Sequence, residues 1–341
     1  MVKTNYQAWH IDDSKFDKSM SATDKLLHFA RYAILAPSGH NTQPWLLSTK
    51  GNALFLAIHP GHHLSIDGSG LLSVEPYISI GTFLSTLRLA ARGFGYELNI
   101  TLFPDNKHVA QIEIKKEVQA ESALLDAITS RVSNRHPFDT TPLDQKELSH
   151  IVSGTFDGVT TKLITERSDI EFIGDMTEAA IGSIMSKPLY RRELSNWVRT
   201  NQTRKYDGMP GFTHGFSNIQ SLVSKAAVKH APVGGPQGKK SKHLVLQSAS
   251  LLIVSCNDDR KESFINAGQV YSQVSTLAAM AGIATSALGA SVLDPVTRQQ
   301  VKERFGINER PIYVLRLGKT DQSARHSPRW PLEKLIDPRV A

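Results

Sequence analysis

The sequence has one cysteine, Cys256, in 341 residues. An intrachain disulfide is therefore impossible, and a reducing compartment, the cytoplasm, is the expected location. Cys256 follows an apolar stretch and has no activating neighbour in sequence, so we predict a structural thiol. No apolar run approaches the ~20 residues that cross a bilayer, and the first residues lack the apolar segment of a secretory signal. We therefore expect no membrane partner.

Acidic residues are scarce in one segment, residues 186–243. It carries eleven lysines and arginines against only Glu193 and Asp207, a net charge of +9 in a chain whose total is +7. The rest of the chain is close to neutral, so we expect no nucleic-acid partner; a local anionic ligand or a solvated loop fits better. The segment is rich in glycine and proline and has no strong helical period after about Trp197. This pattern predicts a long irregular insertion, which is usually a lid or a disordered segment.

Several common site motifs are also missing. No G-x-G-x-x-G follows a predicted strand, and the Gly-Gly-Pro at 234–236 lacks the spacing of a Walker loop. His59, His62, His63 and Asp67 lie close together but match no usual ligand spacing. We expect a surface loop there and no metal site.

The remaining pattern alternates helices and strands, as in an α+β protein. In the first half, a helix over 22–36 ends before Pro37, and a strand pair surrounds the turn Gly51-Asn52. A long helix from residue 75 and two more strands follow, and a new helix begins near Glu121. In the second half the sequence predicts a strand at LLIVSC (251–256), a long helix at 264–282 and a strand at 310–318.

The two long helices align without a gap. Gly81, Ser85, Ala91 and Gly95 of the first match Gly268, Ser272, Ala278 and Gly282 of the second. Two apolar helices share some residues by chance, so this match alone leaves two interpretations open. The alternative to chance is an internal duplication that yields two related α+β halves.

Three short stretches carry residues suited to a binding site. The first, APSGHNTQPW (36–45), combines backbone-shaping residues with short polar side chains. It suits the binding of a flat ligand with polar edges, although for this stretch taken alone a helix-ending turn whose Ser and Asn cap backbone groups is the favoured interpretation. None of its side chains is a good nucleophile without a base.

The second stretch is RVSNRHPF (131–138). If it is extended, Arg131, Ser133 and Arg135 point to one side and form a receptor for a phosphate or carboxylate; otherwise they are solvated arginines beyond a helix end. The third stretch, ARHSPRWPLEKLI, places Arg325 and Arg329 around a proline turn.

Together these stretches resemble the FMN-dependent nitroreductase family, which has an R-x-S-x-[RK]-x-F-like element, a P-S-x-x-N-x-Q-P-W loop and an Arg-x-Pro-Leu-like end. The resemblance extends over most of residues 22–336 and is strongest to a fused, twin-domain branch with mycobacterial members. In the usual dimer, each flavin is held by the arginine element of one subunit and the loop of the other. Here each motif occurs once, the loop in the first half and the arginine element at the start of the second.

The resemblance therefore implies a nitroreductase-like fold whose two related halves, residues 1–120 and 121–341, form an internal pseudo-dimer with one complete FMN site. Residues 186–243 would be a lid-like insertion in the second half. An internal pseudo-dimer removes the need to dimerise, so we expect a monomer or a weak homodimer.

Site roles follow from the same resemblance. Arg131 and Ser133 would contact the phosphate or ribityl chain, and Arg135 would supply a cation near flavin N1 and O2. Pro37, Ser38 and Asn41 would line the isoalloxazine ring, Arg329 would add a phosphate contact, and Gly289 would offer backbone near N5.

The implied activity is NAD(P)H oxidation by ping-pong hydride transfer through flavin N5 to a small-molecule acceptor, a nitroaromatic or a quinone. The flavin carries the chemistry, so no catalytic side chain is expected. The alternative is a flavin-binding or sequestering protein with a closed lid and little turnover. A pseudo-dimeric interaction domain that has lost flavin fits less well, because both motifs survive.

Overall fold

The computed structural model describes residues 4–64, 73–231 and 233–337. The helices, in chain order, are α1 (Ala22–Ala33), α2 (Glu75–Gly93), α3 (Ala123–Ser130), α4 (Gln145–Val152), α5 (Arg167–Ser186), α6 (Pro188–Trp197), α7 (Asn218–His230), α8 (Gly234–Leu246), α9 (Lys261–Met280), α10 (Ala290–Leu293) and α11 (Pro295–Phe305). The strands are β1 (Trp45–Lys50), β2 (Ala53–Ile58), β3 (Tyr96–Leu102), β4 (Ala110–Glu117), β5 (Val159–Ile164), β6 (Val198–Arg199), β7 (Met209–Pro210), β8 (Ser250–Cys256), β9 (Ala284–Leu288) and β10 (Arg310–Gly318). Short 3-10 helices lie at Thr4–Trp9, Asp13–Lys15, Gly39–Asn41, Gly211–His214 and Leu332–Lys334. The predicted mixture of helix and strand is confirmed.

The first sheet is antiparallel and has the strand order β1-β2-β4-β3. Strands β1 and β2 form the predicted hairpin, with Trp45 opposite Ile58 and Lys50 opposite Ala53. Its turn holds Gly51 at φ 58°, a left-handed conformation that glycine adopts without strain. Helices α1 and α2 pack against this sheet through one apolar core.

The second sheet is also antiparallel, with the order β5-β8-β10-β9. Every residue of its central strand β8 is buried. Leu252 and Val254 belong to the core shared with α4 and α9, while Leu251 and Ile253 belong to the core shared with α5 and α11. Helices thus cover both faces, which explains why β8 reads as a continuous apolar run. Cys256 ends β8; it is buried, and burial raises the pKa of its thiol to about 12, as a structural thiol requires.

Helices α2 and α9 form the main contact between the two sheet-containing parts. They cross where both lack a side chain: a Cβ on Gly81 would lie 1.8 Å from the carbonyl oxygen of Ile265, and one on Gly268 would lie 1.9 Å from that of Ile78. Beyond the crossing, Thr86 Oγ1 and Ser272 Oγ are 2.8 Å apart and share a hydrogen bond. The glycines matched in the sequence therefore occupy the same place in the packing of the two helices.

The C-terminal tail returns to the first sheet. The amide of Leu47 donates to the carbonyl oxygen of Leu335 (2.8 Å), and the amide of Asp337 donates to that of Leu47 (2.8 Å). Leu332 and Leu335 join the core of the first sheet. The residues after β10 are thereby placed next to the loop that precedes β1.

The expectation of an irregular segment at 186–243 is wrong. Most of it is helical, in α6, α7 and α8. The Gly-Gly-Pro at 234–236 opens α8, because proline is tolerated in the first turn of a helix, where its missing N–H would have no partner. The sequence concealed these helices because their apolar residues do not all face inward.

No helix among residues 4–64, 73–231 and 233–337 is long and apolar enough to cross a bilayer.

A first prediction concerns the crossing of α2 and α9. Gly81→Ala places a methyl group against a backbone carbonyl that no rotamer change can move, so we expect destabilisation of about 1–3 kcal/mol or more. Gly182→Ala, in α5, is the matched control because nothing lies within 4 Å of its added Cβ; we expect a gain of roughly 0.5–1 kcal/mol. Urea unfolding measures both. An unchanged midpoint for Gly81→Ala would contradict the crossing.

Candidate functional site

A cavity of about 820 Å³ lies where the parts around the two sheets meet. Its volume falls in the range of small-molecule and cofactor sites. All eight residues singled out in the sequence line it: Pro37, Ser38, Asn41, Arg131, Ser133, Arg135, Gly289 and Arg329. The structure therefore brings three stretches that are distant in sequence to one site.

The loop between α1 and β1 has an unusual backbone. His40, Asn41 and Gln43 have φ of 48°, 58° and 55°, a left-handed conformation that residues other than glycine adopt rarely. Such geometry persists only where the surroundings hold it. Here Asn41 Nδ2 donates to the carbonyl oxygens of Gly208 (3.0 Å) and Pro328 (3.1 Å), and Gln43 Nε2 donates to that of Tyr206 (2.7 Å).

The polar side chains of this loop thus bind mainly protein groups. Ser38 Oγ accepts the amide of Gln43 (2.9 Å), and both amide hydrogens of Asn41 are used. Ser38 therefore satisfies a backbone amide of its own loop, as a turn would, whereas Asn41 binds carbonyl groups that are distant in sequence. Nevertheless, Pro37, Ser38 and Asn41 line the cavity, so the loop presents a fixed wall to it.

The arginine element is extended, as its alternation requires. Arg131 directly follows the last residue of α3, Ser133 forms a parallel β-bridge with Thr285 of β9, and the amide of Asn134 donates to the carbonyl oxygen of Thr285 (2.9 Å). Arg131, Ser133 and Arg135 consequently all reach the cavity. Ser133 Oγ also lies 3.3 Å from the hydroxyl of Tyr271.

Arg329 connects the C-terminal tail to the loop. Its Nη1 donates to Asn41 Oδ1 (2.7 Å), and its Nη2 donates to the carbonyl oxygens of Leu35 (3.0 Å) and Ala36 (3.2 Å). Its Nε is buried and has no partner among the described residues. Arg329 therefore fixes the loop with most of its donors and keeps one N–H for a ligand.

Sequence reasoning missed other residues of the cavity. Arg316, fully buried on β10, donates through Nε to Ser248 Oγ (2.8 Å) and lies 4.1 Å from the ring centre of Phe138. A charged residue inside the apolar stretch RPIYVLRLG was the signal that could have revealed it. Glu75, at the start of α2, accepts the amide of Gly39 (2.6 Å).

The cavity carries a strong excess of positive charge. Five arginines and a lysine line it, against one carboxyl group, Glu75: the cations are Arg131, Arg135, Arg316, Arg325, Arg329 and Lys240. Within the described ranges, no carboxylate lies within 4.0 Å of any of these five arginines. Arg131 and Arg329 are only 5% and 4% exposed. Buried cations without a counter-charge are costly, so this set indicates a site for an anion.

The ionisable neighbours do not offset that charge. Burial raises the pKa of Glu75, which favours its neutral form. Burial, followed by the charges of Arg131 and Arg329, lowers the pKa of His326 to about 4. Burial also lowers the pKa of His40 to about 4 and that of His214 to about 3. These three histidines are therefore neutral near pH 7 and add no charge to that of the arginines and Lys240.

Residues from the segment 186–243 form one wall of the cavity. Tyr190, Met209, Phe212 and His214 line it. Residues 203–208 are attached to the first part of the chain: Asn5 Nδ2 donates to the carbonyl oxygens of Thr203 (3.1 Å) and Lys205 (2.9 Å), in addition to the contacts of Asn41 and Gln43. The segment that contributes this wall is thus fixed to the loop 36–45 and to Asn5 through residues 203–208.

The histidines of HPGHH do not line the cavity. His59 and His62 stack with ring centres 3.7 Å apart, and His62 stacks on Trp330 at 5.2 Å. Asp67 lies outside the described residues. The described residues contain no group of three or more His, Cys, Asp or Glu side chains placed to hold a metal ion.

Comparison with known proteins gives relatives of similar length. The chain is 25% identical over 340 residues to the Mycobacterium tuberculosis (strain H37Rv) protein named "Putative NAD(P)H nitroreductase acg", with 94% of this chain and 98% of the relative covered. It is 26% identical over 313 residues to "Putative NAD(P)H nitroreductase Rv3131" of the same strain, with coverages of 89% and 87%. No family model matches the sequence.

Solved structures are more distant. A structure described as the FMN and NADPH-dependent nitroreductase NfnB from sphigopyxis sp. strain HMH is 16% identical, covers 63% of this chain and 97% of its own, and has a TM-score of 0.43. A nitroreductase with bound FMN from Desulfitobacterium hafniense is 11% identical, with coverages of 61% and 94% and a TM-score of 0.38. Scores of this size carry no inference about this chain. The similarity to the mycobacterial proteins, which covers most of both chains, confirms the resemblance seen in the motifs. The chain is similar to the nitroreductase family and, within it, to the Acg-like branch.

Proposed function

We propose that this chain is an FMN-dependent NAD(P)H oxidoreductase of nitroreductase type that passes two electrons to a nitroaromatic or quinone-like acceptor. The observation that carries the proposal is the cluster of buried arginines without carboxylate partners in a cavity with largely apolar walls. A flavin mononucleotide combines the two properties such a cavity selects, a flat ring system and an anionic phosphate. The names of the mycobacterial relatives support the same class of reaction.

Unpartnered polar atoms support the fit of such a cofactor. Five cavity residues each have a buried side-chain atom without a hydrogen-bond partner among the described residues: His40 Nδ1, Glu75 Oε2, Arg316 Nη1, His326 Nδ1 and Arg329 Nε. Buried polar groups are nearly always paired in folded proteins. A ligand with several acceptors would complete the donors, and the phosphate and ring edge of FMN offer such acceptors.

The residue roles follow from position and charge. We propose that Arg131 and Ser133 hold the phosphate or ribityl chain and that Arg135 places its charge near N1 and O2 of the ring. Pro37, Ser38 and Asn41 form the wall against the ring. Arg329 acts mainly by holding that wall, since only its Nε–H is left for a phosphate oxygen.

The cofactor, when bound, supplies the hydride chemistry at N5, with NAD(P)H as donor in a ping-pong sequence. The chain's own residues bind, orient and exclude water. A guanidinium at Arg135 favours the anionic reduced ring electrostatically and so raises its potential. Backbone near Gly289, at the end of β9, is proposed to lie close to N5.

We further propose that residues 1–120 and 121–341 are two related halves of an internal pseudo-dimer. The matched glycines at the crossing of α2 and α9 support this proposal. A second support is that one half contributes the loop to the cavity and the other half contributes the arginine element. One complete site would then serve the whole chain, which would act as a monomer or a weak homodimer in the cytoplasm.

The second candidate is a flavin-sequestering protein with little turnover. One specific observation favours it: residues 203–208 are attached to the loop and to Asn5. We propose that this attachment lets the segment 186–243 act as a cover over the cavity. If the cover does not open, neither NAD(P)H nor an acceptor can approach a bound ring. The two candidates share the cofactor and differ only in access.

Loss of one arginine tests the site. Arg131→Ala removes a buried charge facing the proposed phosphate, and we expect FMN affinity to fall by about thirtyfold or more. Arg131→Lys, which keeps the charge but not the planar fork, should lose less. Flavin fluorescence titration of the flavin-free protein measures the dissociation constants.

Two control variants accompany this measurement. Arg88→Gln removes an arginine that donates to a backbone carbonyl away from the cavity, and Cys256→Ser alters the buried thiol. Both should retain flavin as the unmodified protein does, provided circular dichroism shows that they fold. Equal flavin affinity in Arg131→Ala and Arg88→Gln would remove Arg131 from the site.

Anaerobic stopped-flow mixing of the FMN-loaded protein with NADPH separates the two candidates. Rapid bleaching of the flavin absorbance supports the oxidoreductase, and its absence supports the sequestering protein. Asn5→Ala removes two hydrogen bonds that hold the cover, so reduction of the flavin should become faster if opening of the cover limits its rate. Asn99→Ala, at an exposed position of β3, is the control. Slow reduction that Asn5→Ala leaves unchanged would exclude the cover as the barrier.

A further inference from the structure

Helix α7 turns its aliphatic side chains toward solvent and its serines toward the rest of the protein. Ile219, Leu222 and Val223 are 78%, 65% and 61% exposed, whereas Ser221 and Ser224 are buried. At 100° per residue, the three aliphatic side chains share one face with Ala226. Leu189, at the start of α6, is a further 65% exposed. Seven large hydrophobic side chains are exposed in the described ranges, and four of them lie in these two helices.

Hydrogen bonds hold α7 in this orientation. Ser221 Oγ accepts the amide of Asn201 (3.1 Å) and donates to the carbonyl oxygen of Asn218 (2.7 Å). A capping box at Ser217 and Gln220 fixes the first turn. Turning the helix to bury its aliphatic face would break the contact with Asn201, so the exposed face is built into the fold.

A basic pocket adjoins this apolar face. It has a volume of about 370 Å³ and lies between the start of α6 and the end of α7, lined by Pro188, Leu189, Arg191, Arg192, Lys229 and His230. Arg191 is oriented by donation from Nη1 to the carbonyl oxygen of Met185 (2.7 Å), and its buried Nε has no partner among the described residues. Lys229 and His230 continue the exposed face of α7.

No acidic side chain of this segment offsets that charge. Asp207 pairs with Arg199 at 2.7 Å, and Glu193 is buried and accepts the indole N–H of Trp197 (3.0 Å). The segment 186–243 holds no other acidic residue and carries a net charge of +9. The residues that the segment 186–243 contributes to this surface are therefore projecting aliphatic side chains and cations, without an exposed carboxylate.

We propose that α6 and α7 dock on an anionic phospholipid surface. Leu189, Ile219, Leu222 and Val223 enter the boundary between headgroups and acyl chains, and Arg191, Arg192 and Lys229 bind headgroup phosphates. Interfacial helices bind membranes by this combination of an apolar face and a basic border. The protein lies on the membrane and does not span it, which replaces the sequence-based expectation of no membrane partner.

The charge pattern disfavours a second copy of this chain as the occupant. A two-fold interface places the same patch on both partners, so it would bring the two sets of cations together without an intervening carboxylate. The aliphatic side chains also project from a helix rather than line a groove. The inference does not rest on the proposed oxidoreductase function, because it uses no residue assigned to the flavin.

Flotation of the full-length protein with vesicles tests the proposal. We expect binding to vesicles of phosphatidylcholine mixed with phosphatidylglycerol, weak or no binding to phosphatidylcholine alone, and weakening with added salt. Arg192→Gln/Lys229→Gln should lower the partition coefficient roughly fivefold per charge. Leu222→Ser/Val223→Ser should lower it by about tenfold or more.

Matched controls are Val296→Ser, an aliphatic side chain 68% exposed on α11, and Lys50→Gln, at the exposed end of β1. Both should bind like the unmodified protein, and thermal unfolding should show that every variant folds. Absence of binding, or equal binding to neutral vesicles, overturns the proposal. Two further outcomes also overturn it. One is vesicle binding that Leu222→Ser/Val223→Ser leaves intact and that added polyglutamate abolishes, which would show a purely electrostatic contact. The other is a dimer of the unmodified protein, detected by light scattering, that is lost in Leu222→Ser/Val223→Ser and in no other variant.

Discussion

The crossing of α2 and α9 is the contact on which the candidate site depends. With glycine on both helices, the backbones approach until carbonyl oxygens occupy the space that Cβ atoms would need. This distance fixes the separation of the two sheet-containing parts. The cavity lies between them, with the loop wall from the first part and the arginine element from the second. A small increase in helix separation would therefore change the width of the cavity without altering any residue that lines it.

Electrostatics account for what this geometry can hold. Arg131, Arg316 and Arg329 are buried without a carboxylate partner within the described ranges, and burial keeps the pKa of His326 and of His40 at about 4, so both are neutral near pH 7. In water such charges would be solvated, but here they are partly satisfied by backbone carbonyls, which carry no net charge. The cavity of the folded protein is thus positively charged, and an anionic ligand would reduce the free-energy cost of burying that charge.

Local pattern predicted much of this structure and failed at identifiable places. The hairpin follows from its turn at Gly51-Asn52, strand β8 from a continuous apolar run, and helices α2 and α9 from long, largely apolar stretches. The grouping of Arg131, Ser133 and Arg135 follows from the alternation of an extended segment. The helices of 186–243 escaped prediction because α7 turns its serines inward and its aliphatic residues outward. The role of Arg329 in holding Asn41 depends on the return of the C-terminal tail to the first sheet, a long-range contact that no short window of sequence contains.

The central claim is that the arginine cluster recognises the phosphate of a flavin. Calorimetric titration of the flavin-free protein with FMN and with riboflavin, which share the ring and differ in the phosphate, tests it most directly. We predict that FMN binds about a hundredfold more tightly than riboflavin and that this difference shrinks as salt is added. Equal affinities for the two ligands, or no binding of either, would contradict the account.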